Sequence, residues 1–228
     1  MQTEILYRPS YSLAIVKLDA GESIQAESGA MVSMSADLQM ETKAKGGFLQ
    51  SLGRAVLGGE SFFMNAFTAS PRGGEITLAP SLPGDVAQLD LTGQEVFLQS
   101  GSYLASSGTL AVNTAWGGAK TFFSREGLIL LKISGVGKLL FSSFGAIHQV
   151  TLVAGEKAVV DTGHLVSFDS TLNYQVRKVA GWKSTIFGGE GLVVELTGPG
   201  TYTLQTRSQD AFLGWLIPHL PKSSSGSS

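Results

Sequence analysis

Gly21-Glu-Ser-Ile-Gln-Ala-Glu-Ser-Gly29 opens a pattern that the chain writes three times, returning as Gly93-Gln-Glu-Val-Phe-Leu-Gln-Ser-Gly101 and as Gly155-Glu-Lys-Ala-Val-Val-Asp-Thr-Gly163. A leucine follows nine residues after each closing glycine, at Leu38, Leu110 and Leu172. Further glycines recur at Gly46-Gly47, Gly117-Gly118 and Gly181. A third mark, Gly58-Gly59-Glu60, Arg125-Glu126-Gly127 and Gly189-Glu190-Gly191, leads each time into an apolar run, at Phe62 to Phe67, Leu128 to Ile133 and Leu192 to Leu196. Self-similarity at long period is read before any local pattern, because it decides the architecture.

Each copy reads as a short strand, a [Ser/Thr]-Gly turn suited to a conformation that bulkier residues resist, and further glycine-closed hairpins. Alternation with β-branched and aromatic residues makes Leu192-Val-Val-Glu-Leu-Thr197 and Thr201-Tyr-Thr-Leu-Gln-Thr206 the firmest strands. One unit of about sixty to seventy residues hides a sheet face only against a neighbour. The expected fold class is therefore all-β: three repeated β-sandwich units in pseudo-threefold arrangement, with one or two short helices. The units span 1–82, 83–146 and 147–221, with borders near Pro80 to Asp85 and Gly145 to Gln149, and 222–228 is a disordered polar tail.

Two segments break the strand pattern. Phe48, Leu49, Leu52 and Val56 have helical spacing, so a short helix near 48–57 is expected inside the first unit. Packing on the protein or on another subunit suits this segment better than a membrane surface, since Arg54 is its only positive charge. Phe212, Leu213, Leu216 and Ile217 share a face before Pro218, and a closing helix near 209–217, packed on the sheets, is expected.

Composition bounds the chemistry. Apolar residues are 43% and charged residues 15% of the 228, enough to build a core. Glycine at 29 positions, without a collagen period, fits many tight turns. A net charge of -2 offers no field to gather phosphate backbones, so nucleic-acid binding is disfavoured. With no cysteine there is no disulfide, thiolate nucleophile or cysteine-ligated metal, and a reducing cytoplasm fits easily. Met1 to Leu18 carries Glu4, Arg8 and Lys17 and lacks a signal-type apolar region. The greasiest run, Leu128 to Phe141, is cut by Lys132, Gly135, Gly137 and Lys138, so no transmembrane span is expected.

Enzymatic motifs are missing. There is no Gly-x-Ser-x-Gly elbow, Gly137-Lys138 is followed by Leu139 rather than a phosphate-loop Ser or Thr, and no Gly-x-Gly-x-x-Gly loop follows a strand. His148, His164 and His219 share no repeat position and no strand-face spacing, so no metal site and no cofactor are expected. Glu60, Glu126 and Glu190 occupy one repeat position and form the candidate ligand-binding set, since symmetry could gather three carboxylates around a hard cation. The plainer reading makes each a solvated charge at a hairpin entrance. Glu27, Gln99 and Asp161 also match, and the local task of accepting turn N–H groups explains them. Weak basic clusters, Lys43, Lys45 and Arg54, then Arg177, Lys178 and Lys183 beside Trp182, are a thin version of a single-strand RNA surface.

Gly58-Gly59-Glu60-Ser-Phe-Phe63, Phe123-Ser-Arg-Glu-Gly-Leu128 with Ser134-Gly135, Ser143-Phe-Gly-Ala-Ile147, and Phe187-Gly-Gly-Glu-Gly-Leu192 with Leu196-Thr-Gly-Pro-Gly200 resemble the altered-inheritance-of-mitochondria family, to about Pro221. The resemblance implies a fold like the tryptophan RNA-binding attenuation protein, a double-stranded β-helix type with three units per chain. Eukaryotic relatives support membrane-organising complexes of the mitochondrial inner membrane, and the family brings no catalytic residues. The tryptophan-sensing and RNA-reading residues have no matches here.

The expected function is a non-enzymatic scaffold or interaction protein supporting membrane-associated complexes from the cytoplasm, with protein partners or self-association and peripheral membrane contact at most. The alternatives are a small-ligand or cation-binding protein using the pseudo-threefold axis and, by fold analogy alone, an RNA-binding protein.

Overall fold

Alternation of apolar and polar side chains governs the local structure, as in Leu13–Leu18, where Ala14, Val16 and Leu18 turn inward while Lys17 faces water. A computed structural model describes residues 1–42, 64–115, 129–178 and 192–221. The helix expected near 48–57 lies outside these residues. Most of the described chain is strand, in antiparallel sheets.

Grouped by the expected borders, the first unit holds β1 (Gln2–Leu6), β2 (Leu13–Leu18), β3 (Ser23–Glu27), β4 (Met31–Met34), β5 (Gln39–Thr42), β6 (Met64–Thr68) and β7 (Gly74–Leu78). The second runs β8 (Val86–Thr92), β9 (Val96–Gln99), β10 (Tyr103–Ser107), β11 (Ala111–Thr114), β12 (Leu130–Ser134) and β13 (Val136–Ser142). The third runs β14 (Ile147–Leu152), β15 (Lys157–Asp161), β16 (Leu165–Asp169), β17 (Asn173–Lys178), β18 (Leu192–Thr197) and β19 (Gly200–Gln205), followed by α1 (Gln209–Leu216) and a 3-10 turn, Ile217–His219.

The sheets are shared between units. One six-stranded sheet has the order β5-β6-β3-β10-β13-β8, and the other has β11-β12-β9-β16-β19-β14, the same order with every strand advanced by six. The joins are β3 to β10, with Ala26 opposite Ala105, and β9 to β16, with Leu98 opposite Ser167. The remaining sheets are β1-β2-β7-β4 and β15-β18-β17, in which β4 and β15 are terminal strands. Two such joins are seen among the described residues.

Three apolar cores fill the sandwiches, and neighbours complete them. The first takes Leu104, Ala105 and Leu140 from the second unit; the second takes Met64 and Val166 from either side; the third takes Ala115 and Leu130. Leu38, Leu110 and Leu172 are all buried, and each donates its backbone N–H to the residue three before it, Ser35, Ser107 and Asp169.

Glycine placement departs from the expectation. The opening glycines Gly21, Gly93 and Gly155 all have positive φ, at 74°, 120° and 80°, whereas of the closing ones only Gly29 does, at 92°. The conformation barred to bulkier residues thus sits before the strand in all three copies and at the [Ser/Thr]-Gly pair in the first alone. A second departure concerns α1. No residue of it is fully buried; it meets the body through Phe212, edge-on to Phe144 with ring centroids 5.6 Å apart, and through Leu213 at the rim of the cleft described below.

Candidate functional site

β3, β9 and β15 end in the matched residues Glu27, Gln99 and Asp161, each followed by a turn back into the next strand. Asp161 does the local work expected, its Oδ1 accepting the Gly163 N–H at 2.8 Å. Gln99 does not. It is buried, and its Nε2 donates to the Thr162 carbonyl oxygen at 2.7 Å, tying the second unit to the third. Gln205, at the end of β19, holds the same turn from the other side: Nε2 donates to the Gly163 carbonyl at 2.8 Å, and Oε1 accepts the Phe144 N–H at 2.9 Å. His164 Nδ1 lies 2.8 Å from the Gln205 carbonyl, and Thr162 Oγ1 donates to the Leu192 carbonyl at 3.0 Å.

These turns and the chain crossings that follow β7, β13 and β19 enclose a cleft of about 160 Å³. Glu27, Gln99 and Gly163 bring one residue from each unit, and Ser102, Ser143 and Ser208 add hydroxyls. Asp210, from the first turn of α1, adds a second carboxylate, and among the described residues none of the lining is Lys, Arg or His. Such a lining accepts hydrogen bonds from a donor or a cation and repels a phosphate. Beside it, Tyr103 is fully buried, with its hydroxyl 3.1 Å from the Gln25 carbonyl and 2.8 Å from Ser106 Oγ. Burial drives its ionisation well above the ordinary phenol range, the Ser106 bond opposes this, and the charge of Glu27 adds to it. Tyr103 therefore stays neutral at physiological pH.

α1 starts at the edge of the cleft. Ser208 is its N-cap, with Oγ 3.4 Å from the Ala211 N–H, and Asp210 favours the positive end of the short helix. Past the first turn the surface is apolar: Phe212, Leu213, Trp215, Ile217 and Leu220 are all exposed, Trp215 and Ile217 by 61% and 62%. Phe212, Trp215 and His219 form a continuous aromatic row, with centroids 6.2 and 5.3 Å apart.

The candidate carboxylates Glu60, Glu126 and Glu190 lie outside the described residues, as do Lys43, Lys45, Arg54, Trp182 and Lys183. Arg177 is engaged with Glu195 at 3.3 Å, and Lys157 reaches the same carboxylate at 3.1 Å. The histidines are dispersed: His148 is exposed on β14, His164 is held by Gln205, and His219 Nδ1 lies 2.7 Å from the Trp215 carbonyl. Among the described residues, no three His, Asp or Glu side chains are grouped as metal ligands would be. Sequence reasoning missed Gln205 and the cleft serines, whose residue types at strand ends carry no distinguishing signal.

A family profile described as Mitochondrial biogenesis AIM24 matches residues 3–207. This chain belongs to that family. The AIM24 match takes in every strand and ends just short of the Ser208 cap, so α1 falls beyond it. Uncharacterized protein M6_Spy0233 of Streptococcus pyogenes serotype M6 is 29% identical over 222 residues, 94% of this chain and 89% of that protein. The crystal structure of protein SPYM3_0169 from Streptococcus pyogenes superposes with a TM-score of 0.81 at 28% identity, over 96% of this chain and 99% of that one. The all-β architecture is therefore shared by a solved structure. Among the described residues no helix is long and apolar enough to cross a membrane.

Proposed function

We propose that this AIM24-family chain is a non-enzymatic scaffold or interaction protein, acting in the cytoplasm, whose docking element is α1. One observation carries the reading: a helix with an N-cap of its own, anchored by Phe212 on Phe144, leaves Trp215 and Ile217 largely exposed to solvent. Exposed contiguous apolar surface is costly in water and marks docking sites for other macromolecules. The missing nucleophile, phosphate-loop and nucleotide motifs support the non-enzymatic part.

The test is retention of lysate proteins on the immobilised chain, set against a Trp215→Asp/Ile217→Asp variant. The variant is expected to keep its circular dichroism spectrum and lose the retained set. Equal retention by both overturns the docking role of α1. Flotation of the wild-type chain with phosphatidylserine vesicles, with no retained protein, would replace a protein partner by a membrane surface.

A second reading, a cation or polar-ligand protein, is favoured by the Glu27 and Asp210 carboxylates in a cleft without cationic lining. Its form at the pseudo-threefold axis adds Glu60, Glu126 and Glu190. Calcium titration of the wild type against a variant with those three changed to Gln, and against Glu27→Gln, separates the two places.

A further inference from the structure

β4 and β10 are equivalent strands, each following a [Ser]-Gly turn, yet their surroundings differ. Met31 and Val32 are exposed by 38% and 58%, whereas Tyr103 and Leu104 at the same positions are 0% exposed, and Leu165 and Val166 on β16 are 1% and 0%. The difference is a neighbour. β10 is flanked by β13 and β3, and β16 by β19 and β9, but among the described residues β4 is flanked by β7 alone. β15, the equivalent of β3 and β9, is among the described residues flanked by β18 alone, and its Val159 is 56% exposed.

We propose that β4 of one copy of this chain pairs with β15 of a second copy, so that molecules join head to tail through the junction each already makes twice internally. The register follows from the two existing joins. Ala105 opposite Ala26 and Ser167 opposite Leu98 transfer to Ser33 opposite Val160; Ser106 opposite Gln25 and Phe168 opposite Phe97 transfer to Met34 opposite Val159. The composite sheet would read β17-β18-β15-β4-β7-β2, the strand order of both six-stranded sheets, with β1 added at its edge.

Three features favour a second copy over an unrelated partner. The free edges are complementary halves of one recurring join, and a heterologous contact of this kind needs no new surface. β4 is Met-Val-Ser-Met, without the charge or proline that blunts a permanently free edge strand. Val159 and Met34 would meet as an apolar pair where Phe97 and Phe168 stack at 5.0 Å in the existing join. This inference uses residues far in sequence from α1 and stands whether or not α1 docks a partner.

The chain has no cysteine, so pairing can be trapped cleanly. Gly108 N donates to the Ser23 carbonyl, and alternation of wide and narrow pairs from there puts Ala26 and Ala105 in a narrow, non-hydrogen-bonded pair, whose spacing suits a disulfide. Ser33 and Val160 inherit that position. Mixing Ser33→Cys protein with Val160→Cys protein under mild oxidation is expected to give a mixed disulfide dimer, and the double variant a ladder of larger species. A double variant that closes only on itself, running as an oxidised monomer, or forms no crosslink, overturns the proposal. Because Val160 lines the core, a second variant guards against misfolding: Val32→Lys, on the exposed edge, is expected to lower the association constant from sedimentation velocity by about tenfold, equivalent to about 1.4 kcal/mol. A wild type that sediments as a monomer at every concentration also overturns it.

Discussion

Gln99 on β9 donates its side-chain amide to the Thr162 carbonyl, 2.7 Å away in the next unit, from a position that is all but closed to solvent. Removing the donor leaves a buried carbonyl with weaker satisfaction, which costs about 1–2 kcal/mol. Gln99→Leu is expected to lower the urea midpoint accordingly. Gln99→Glu should cost more, because a carboxylate cannot donate and would face the carbonyl dipole. Equal stability of the two variants would remove the hydrogen bond from the account.

Phe97 and Phe168 face one another across the β9–β16 join, and Tyr174 closes the cluster at 5.6 and 5.0 Å. Phe168 is 1% exposed, so Phe168→Ala opens a cavity at the seam and is expected to cost about 3–5 kcal/mol. Because each core borrows side chains from the next unit, the loss should appear as a shift of one cooperative transition. A new early transition, with the rest of the signal unmoved, would mean that the units unfold separately.

The strand content and the recurrence of turns were legible because glycine and apolar alternation act locally: Leu38, Leu110 and Leu172 fall in the same buried turn in the three units. The sharing of sheets was not, since nothing in the spelling of β3 says that its second neighbour comes from β10. Strand partners are fixed by tertiary packing, and the exposure of Val32 against the burial of Leu104 is visible only once the neighbours are placed. The cleft failed to announce itself for a similar reason. Gln99 and Asp161 match in sequence, but one reaches across the join while the other serves its own turn. α1 was readable as a helix from its spacing, and of its apolar side chains Phe212 meets the body at Phe144.

Gly155 has φ of 80° with open space where a Cβ would sit, so only its backbone resists substitution. Gly155→Ala is expected to cost about 1 kcal/mol, the penalty of a left-handed alanine. Gly101 also has open space but lies outside the left-handed region, and Gly101→Ala should change stability by less than about 0.5 kcal/mol. Thermal unfolding of the pair checks which glycine of the repeat is constrained. A larger loss at Gly101 would contradict the turn geometry.

Arg8 grips Asp85 with two bonds of 2.8 Å, and Ser12 Oγ and the Val86 N–H complete the carboxylate's shell, so the β1–β2 connection is fastened to the crossing between the first and second units. Burial alone would raise the pKa of Asp85; the bonds from Arg8, Ser12 and Val86 outweigh it and hold the carboxyl below its ordinary range. A carboxyl depressed in the folded state contributes stability in full above its unfolded value, about pH 4, and loses it as the pH falls through the lower folded value. The wild type should therefore weaken below about pH 4 more steeply than Asp85→Asn, which has no such proton to take up. Arg8 is half exposed, which places the loss in Arg8→Ala at about 2 kcal/mol at neutral pH, between a surface pair and a fully buried one. Urea midpoints measured from pH 3 to 7 check both, and parallel curves for wild type and Asp85→Asn would assign the acid sensitivity to other carboxylates.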